Sequence, residues 1–158
     1  MSYGLDLDQF RLRVVRPTLH YMQLHSQAAE NLLVGTALTE SRLKFIQQLG
    51  GPALGLYQME PATFRDVYDN YLSYRPDLVW TVNQLRDRRP TTMEEELVYN
   101  MAFATAMARV HYRRVPAPLP DAADAMGLAK YWKIHYNTSL GKGSVLHAFE
   151  HFKVAVDT

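Results

Sequence analysis

Glu40 is the first residue whose type and place could do chemistry. The residues before it, Ala28, Ala29, Leu32, Leu33, Gly35, Thr36 and Ala37, are small or apolar on every side. That pattern predicts a helix over 27–39, buried nearly all round, with Glu40 at its end. A carboxylate there faces the negative end of the helix macrodipole. Partial burial disfavours the charged form further. A carboxyl group held neutral near pH 7 is what a general acid needs to protonate a leaving oxygen, such as a glycosidic one. The alternative is a solvated side chain beside Arg42 and Lys44, the commoner fate of a Glu at a helix end. Ordinary glycoside hydrolysis takes a second carboxyl group, close for retention and farther off for inversion. The candidates are Glu60, Asp66 and Asp69. Glu60 and Asp66 also lie near a helix start after Pro61, where negative charge is stabilised in any case.

A turn-rich loop follows Glu40, from Gln47 to Gly55, with Gly50, Gly51 and Pro52 inside it. Then comes Gly55-Leu56-Tyr57-Gln58-Met59-Glu60-Pro61, and much later Tyr136-Asn137 with Gly141 beyond. This order of Glu40-Ser41, loop, Gly-Leu-Tyr-Gln and Tyr-Asn resembles the soluble lytic transglycosylases of lysozyme-like fold, over residues 30–141. Asn100 resembles, loosely, an Asn that opens a helix between those motifs. Two departures stand out: no serine occurs in 49–54, and Glu60 occupies a usually uncharged position.

The resemblance implies roles residue by residue. Glu40 would give its proton to the leaving oxygen and then act as base. Gln58 would hydrogen-bond the sugar or its N-acetyl group, and Tyr57 would wall the groove. Tyr136 would position Glu40 or the sugar, and Asn137 would support the local backbone. Ser41, Gly55 and Glu60 fall on the substrate-binding side. The substrate would be the β-1,4 bond between N-acetylmuramic acid and N-acetylglucosamine in peptidoglycan, and the product a 1,6-anhydro-muramyl end. One acid suffices for that reaction, because the muramyl 6-hydroxyl attacks its own ring. Bland readings stand beside these: Tyr57 and Tyr136 as half-buried aromatics, and Gly55 as a turn residue.

Other motifs carry less. His147-Ala148-Phe149-Glu150-His151 matches the H-x-x-E-H pattern of zinc peptidases, but the third ligand of such a site has no room in the seven residues that follow. His20 and His25 are five apart and share a helix face poorly. Gly141-Lys142-Gly143-Ser144 reads as a helix entrance with Ser144 near the cap, not as a phosphate loop. Asn137-Thr138-Ser139 is a glycosylation pattern of consequence only in a secretory setting. Among the aromatic residues, Tyr68, Tyr71, Tyr74, Trp80 or Trp132 could line a glycan groove.

The elements that must position these groups are mostly helical. Helices are expected near 6–24, 27–39, 61–73, 92–113, 122–135 and 143–155. Thr91 or Thr92 can cap the fourth and Asp121 the fifth, while Pro17 kinks or divides the first. Val115–Pro120, with three prolines, reads as a stiff connector. Leu54–Met59 is the only short apolar run that could be extended chain. The 158 residues suit one domain, 1–158. With 17 basic and 16 acidic residues the net charge of +1 gives no electrostatic case for nucleic acid. Cysteine is absent, which excludes disulfides and Cys-based zinc sites.

The expectation is a mainly α, lysozyme-like helical domain with a short loop/β region around residues 46–60. It would act on peptidoglycan glycan strands without a cofactor, a metal or a membrane span. Met1–Phe10 has no apolar run and does not read as a secretory signal. Delivery to the periplasm or cell wall would then fall to a phage particle or secretion machine, or to synthesis in the cytoplasm of a phage host. Two alternatives stay open: a hydrolysing muramidase using Glu40 and Glu60, and a non-catalytic glycan-binding or structural module of a phage virion.

Overall fold

The computed structural model describes residues 3–89, 91–137 and 143–158. The chain is mainly helical. Helix α3 (Gln27–Ser41) runs through the middle, and every side chain from Ala29 to Ala37 is buried. Ser26 caps it by accepting from Ala29 N–H at 3.0 Å. Helix α9 (Val145–Asp157) lies along α3, with Ser144 as its cap, as the sequence suggests. The two helices touch at Gly35, where a Cβ would come within 2.2 Å of the Phe152 ring. Helix α8 (Ala125–Trp132) packs on α9, and a π-helical turn (Lys133–Asn137) extends it. Asp124 caps α8, while Asp121 instead closes a turn by accepting from Ala123 N–H. The helix expected from 122 therefore starts later.

The first expected helix is unbroken but not uniform. Helix α1 (Leu7–Phe10) passes into a π-helical stretch (Arg11–Val15), then into α2 (Arg16–Tyr21). Pro17 sits in the first turn of α2, directly after the widened stretch. Proline has no N–H to donate back into that stretch, and the pairing changes from π to α register at this point. The expected helix 92–113 is split into α6 (Glu96–Tyr99) and α7 (Met101–Arg113). Asn100 is extended between them, and its Oδ1 accepts from Phe103 N–H at 3.0 Å to cap α7. Its amide donates to Leu85 O and to Glu96 Oε1. Glu96 is fully buried and also accepts from Arg86 and the Asp87 N–H. Neither Thr91 nor Thr92 caps a helix there. Helix α4 (Pro61–Asn70) stops before a 3-10 turn (Leu72–Tyr74), so the helix expected to residue 73 is shorter. Helix α5 (Pro76–Gln84) has no counterpart in the sequence expectation.

A second buried carboxylate ties the termini together. Glu30 on α3 accepts from Arg11, Arg16 and His25. Arg11 also donates to Asn31 on α3 and to the Ala155 carbonyl on α9. Between α3 and α4 the chain makes two single antiparallel bridges, Gln47 to Leu54 and Leu54 to Met59. These short pairings give the loop/β region expected around 46–60 a fixed shape.

Candidate functional site

Glu40 sits in the last turn of α3. The helix ends because Arg42 and Leu43 both turn to the left-handed region, at φ 56° and 58°. Ser41 closes it from inside: its hydroxyl donates to Ala37 O and accepts from Leu43 N–H. Ser41 is thus 1% exposed and turned into the protein, and Glu40 is left facing a groove. The groove has a volume of about 840 Å³, within the usual range of ligand clefts. Phe45, Gln47, Gln48 and Leu49 form one wall, from the loop after α3. Trp132, Tyr136, Asn137 and His147 form the other, from α8, its π-turn and α9.

Oε2 of Glu40 is buried and has no hydrogen-bond partner. No cation pairs with the carboxyl among the described residues, and Arg42 and Lys44 are exposed. Burial therefore acts alone and raises the Glu40 pKa to about 7. At neutral pH a large fraction of these groups is protonated.

The loop that faces Glu40 is built around Gly55 and Gln58. Gly55 adopts φ +78°, and a Cβ on it would lie 2.0 Å from Leu97 O. Only glycine fits both conditions. Gln58 has φ 49°, a left-handed conformation that costs a non-glycine residue free energy. Its Nε2 donates to Gly55 O at 3.0 Å, and the side chain lines the groove. Gln58 and Glu60 thus reach the groove from the same turn. Glu60 is exposed at the rim, just before Pro61 opens α4.

Of the residues singled out in the sequence, Glu40, Gln58, Glu60, Tyr136 and Asn137 line one groove, whereas Ser41, Gly55 and Tyr57 do not. Tyr57 is 2% exposed and its hydroxyl bonds Thr105 Oγ1 at 2.9 Å, inside the core. It supports the wall from behind instead: its carbonyl accepts from Tyr136 Oη at 2.6 Å. Asn137 is held by Lys133 Nζ at 2.8 Å. Gly141 lies outside the described residues. Asp66 is exposed and paired with Arg114, and neither it nor Asp69 lines the groove. Trp132 is the one of the five suggested aromatic residues that does. Tyr74 and Trp80 are exposed elsewhere, at 75% and 63%.

His147 and His151 meet edge to face at 5.2 Å. No group of three or more His, Cys, Asp or Glu able to hold a metal occurs among the described residues. His20 and His25 stack at 4.1 Å, although on sequence spacing they share a helix face poorly. The chain between them leaves α2 and turns back, which spacing along one helix does not register.

Sequence reasoning missed His111. It lies near the end of α7, is 6% exposed, and lines the groove. The available signal was Arg114 three residues later on the same helix face, a spacing too common to single out. A second cavity, of about 620 Å³, lies near Arg13, Tyr21, Tyr99 and Met101. Its one acidic lining residue, Asp87, is ion-paired with Arg89, so it offers no free acid. Comparison of the chain with family models, with curated proteins and with solved structures found no match.

Proposed function

We propose that this protein is a peptidoglycan lytic transglycosylase of lysozyme-like fold, with Glu40 as its general acid and base. One observation carries the reading: a buried, unpaired carboxyl with its pKa raised to about 7 opens onto a groove of glycan size. The motif resemblance supplies the substrate. Glu40 would protonate the glycosidic oxygen as the bond to the muramyl C1 breaks, releasing the glucosaminyl hydroxyl. The carboxylate so formed would take the proton of the muramyl 6-hydroxyl as that oxygen bonds C1. A 1,6-anhydro ring results, Glu40 is protonated again, and no water is consumed. Gln58, Tyr136 and Asn137 would hold the sugar against the acid.

A hydrolysing muramidase is the second reading, because Glu60 lines the same groove and is the only other acidic residue among its described lining. A non-catalytic wall-binding module is the third. No helix of the described residues is long and apolar enough to cross a membrane. Access to the wall would come through a phage particle, a secretion machine or a lysing host.

Mass spectrometry of peptidoglycan digests separates the readings. Anhydro-muramyl ends are expected, with Glu40→Gln reducing turnover by at least about 10³-fold and Glu60→Gln by less than about tenfold. Reducing ends, lost equally in both variants, would mean hydrolysis. No cleavage by the unaltered protein would leave the wall-binding reading.

A further inference from the structure

One ring in the groove is fixed in a single tautomer. Arg114 Nη2 lies 3.1 Å from Nδ1 of His111. A guanidinium has donors and no acceptor, so Arg114 donates and Nδ1 accepts. The ring proton of a neutral His111 is therefore on Nε2. Arg114 is held from its other side, where Nη1 donates to Asp66 Oδ2 at 2.7 Å. The edge of the ring meets Tyr136, 4.8 Å between centroids, and Tyr136 is itself anchored on Tyr57 O. Arg114, braced by Asp66, and Tyr136 thus hold the ring.

The remaining nitrogen, Nε2, is not sealed in the core. Nε2 makes no hydrogen bond within the described residues, yet it is not among the buried polar atoms without a partner. His111 lines the cleft, and Nε2 is its ring nitrogen left to pair with a ligand there. The charged groups that act on the ring are Arg114, Asp66 and His135. Burial first, then Arg114, hold its pKa at about 3, against a weaker pull from Asp66. The ring is a neutral donor throughout the range in which Glu40 can act as an acid.

We propose that His111 is a specificity-determining residue whose Nε2–H donates a hydrogen bond to the N-acetyl carbonyl oxygen of a bound hexosamine. This rests on the glycan reading of the groove. The chemistry favours an amide carbonyl over an anion. No Lys or Arg lines the groove among the described residues, whereas Glu40 and Glu60 do. A carboxylate would find no Lys or Arg there to pair with and would lie beside two acidic residues. An uncharged carbonyl accepts from that N–H without a counter-charge.

The test uses the full chain, labelled with ¹⁵N-histidine, and tri-N-acetylchitotriose or its fully de-N-acetylated counterpart as probes. The His111 ring is expected to show the neutral Nε2–H tautomer from pH 5 to 8, and that proton to shift on binding the acetylated probe. His111→Ala should weaken the acetylated probe about tenfold and leave the de-N-acetylated one within about twofold, and His111→Gln, which keeps an N–H, should regain part of the loss. An Nδ1–H or imidazolium signal, a silent ring on binding, or an equal loss on both probes would overturn the assignment. Peptidoglycan turnover is read separately. A protein that binds through His111 but cleaves nothing keeps the donor and loses the enzyme. Normal turnover with an unresponsive His111 does the reverse.

Discussion

Burial acts on two residues of the groove in opposite senses and leaves both neutral. It raises the Glu40 carboxyl to about 7 and lowers the His111 imidazole to about 3. These two groups therefore carry no charge over most of the range between, one able to give a proton and the other a neutral ring that donates. On the proposed reading this sets the pH dependence of cleavage. Glu40 must be protonated to act, so kcat/KM should be flat from about pH 5 to 6.5 and fall toward tenfold per unit above about 7. The expected profile has no acid limb from His111, whose ring stays neutral down to about 3. A profile that also falls below pH 5 would point to a second carboxyl group needed in its ionised form. Initial rates on purified peptidoglycan between pH 4.5 and 8.5 decide it. A profile with no fall above pH 7 would remove Glu40 as the acid.

At the scale of elements, the loop between α3 and α4 is what turns a buried helix end into a cleft. Its shape depends on Gly55 in a way that can be compared with Gly50. Both have positive φ, but a Cβ on Gly50 meets nothing within 4 Å, whereas one on Gly55 meets Leu97 O. Gly50→Ala should cost about 1 kcal/mol, and Gly55→Ala about 2–4 kcal/mol, since strain and overpacking then add. Urea unfolding of the two variants measures both, and equal losses would show that the approach of Leu97 to the turn is not what holds it. These elements also show what a sequence can carry. Helix α3 was legible because small and apolar residues recur on every side of it, and α9 because Ser144 precedes a clean amphipathic run. The break at Asn100 was not, since it is made by Glu96, Leu85 and Arg86, which meet only in the folded chain. Helix α5 was hidden by its length, nine residues with a proline at the start. Glu40 was legible as a candidate acid through the order of motifs around it, since its place at a helix end alone fits a solvated side chain equally well. His111 was not, because the Arg114 that bonds its Nδ1 is itself held by an aspartate from α4, 45 positions from His111 in sequence (66 to 111). Tyr57 sits in the motif yet faces the core, because Thr105 on α7 supplies a partner for its hydroxyl there.

For the whole molecule, the same buried groups set how stability varies with pH. Glu30 holds the first helix, α3 and α9 together. Burial pushes its carboxyl up, but hydrogen bonds from Arg16, Arg11 and His25 outweigh that and bring it to about 2. Its contribution is present above the usual carboxyl range and is lost as pH falls toward 2. His111, neutral when folded, binds fewer protons than the unfolded chain below about pH 6.5, so it too favours folding less as pH falls. Glu40 works the other way. Its folded pKa lies above the unfolded value of 4.5, so the native state holds a proton that the unfolded chain releases as pH rises from 4.5 to about 7. Stability is lost across that window, reaching about 3 kcal/mol above pH 7. Glu40 and His111 therefore oppose each other between pH 4.5 and 6.5, and their contributions nearly cancel there. Replacing Glu40 with Gln removes one side of that balance. The variant should match the unaltered protein to within a constant offset below pH 4.5, then gain on it steadily, by about 3 kcal/mol at pH 7.5. Urea midpoints at pH 4, 6 and 7.5 give the difference directly. A difference that does not change with pH would mean that the Glu40 carboxyl is not held neutral by burial, and the case for it as a general acid would fall with that.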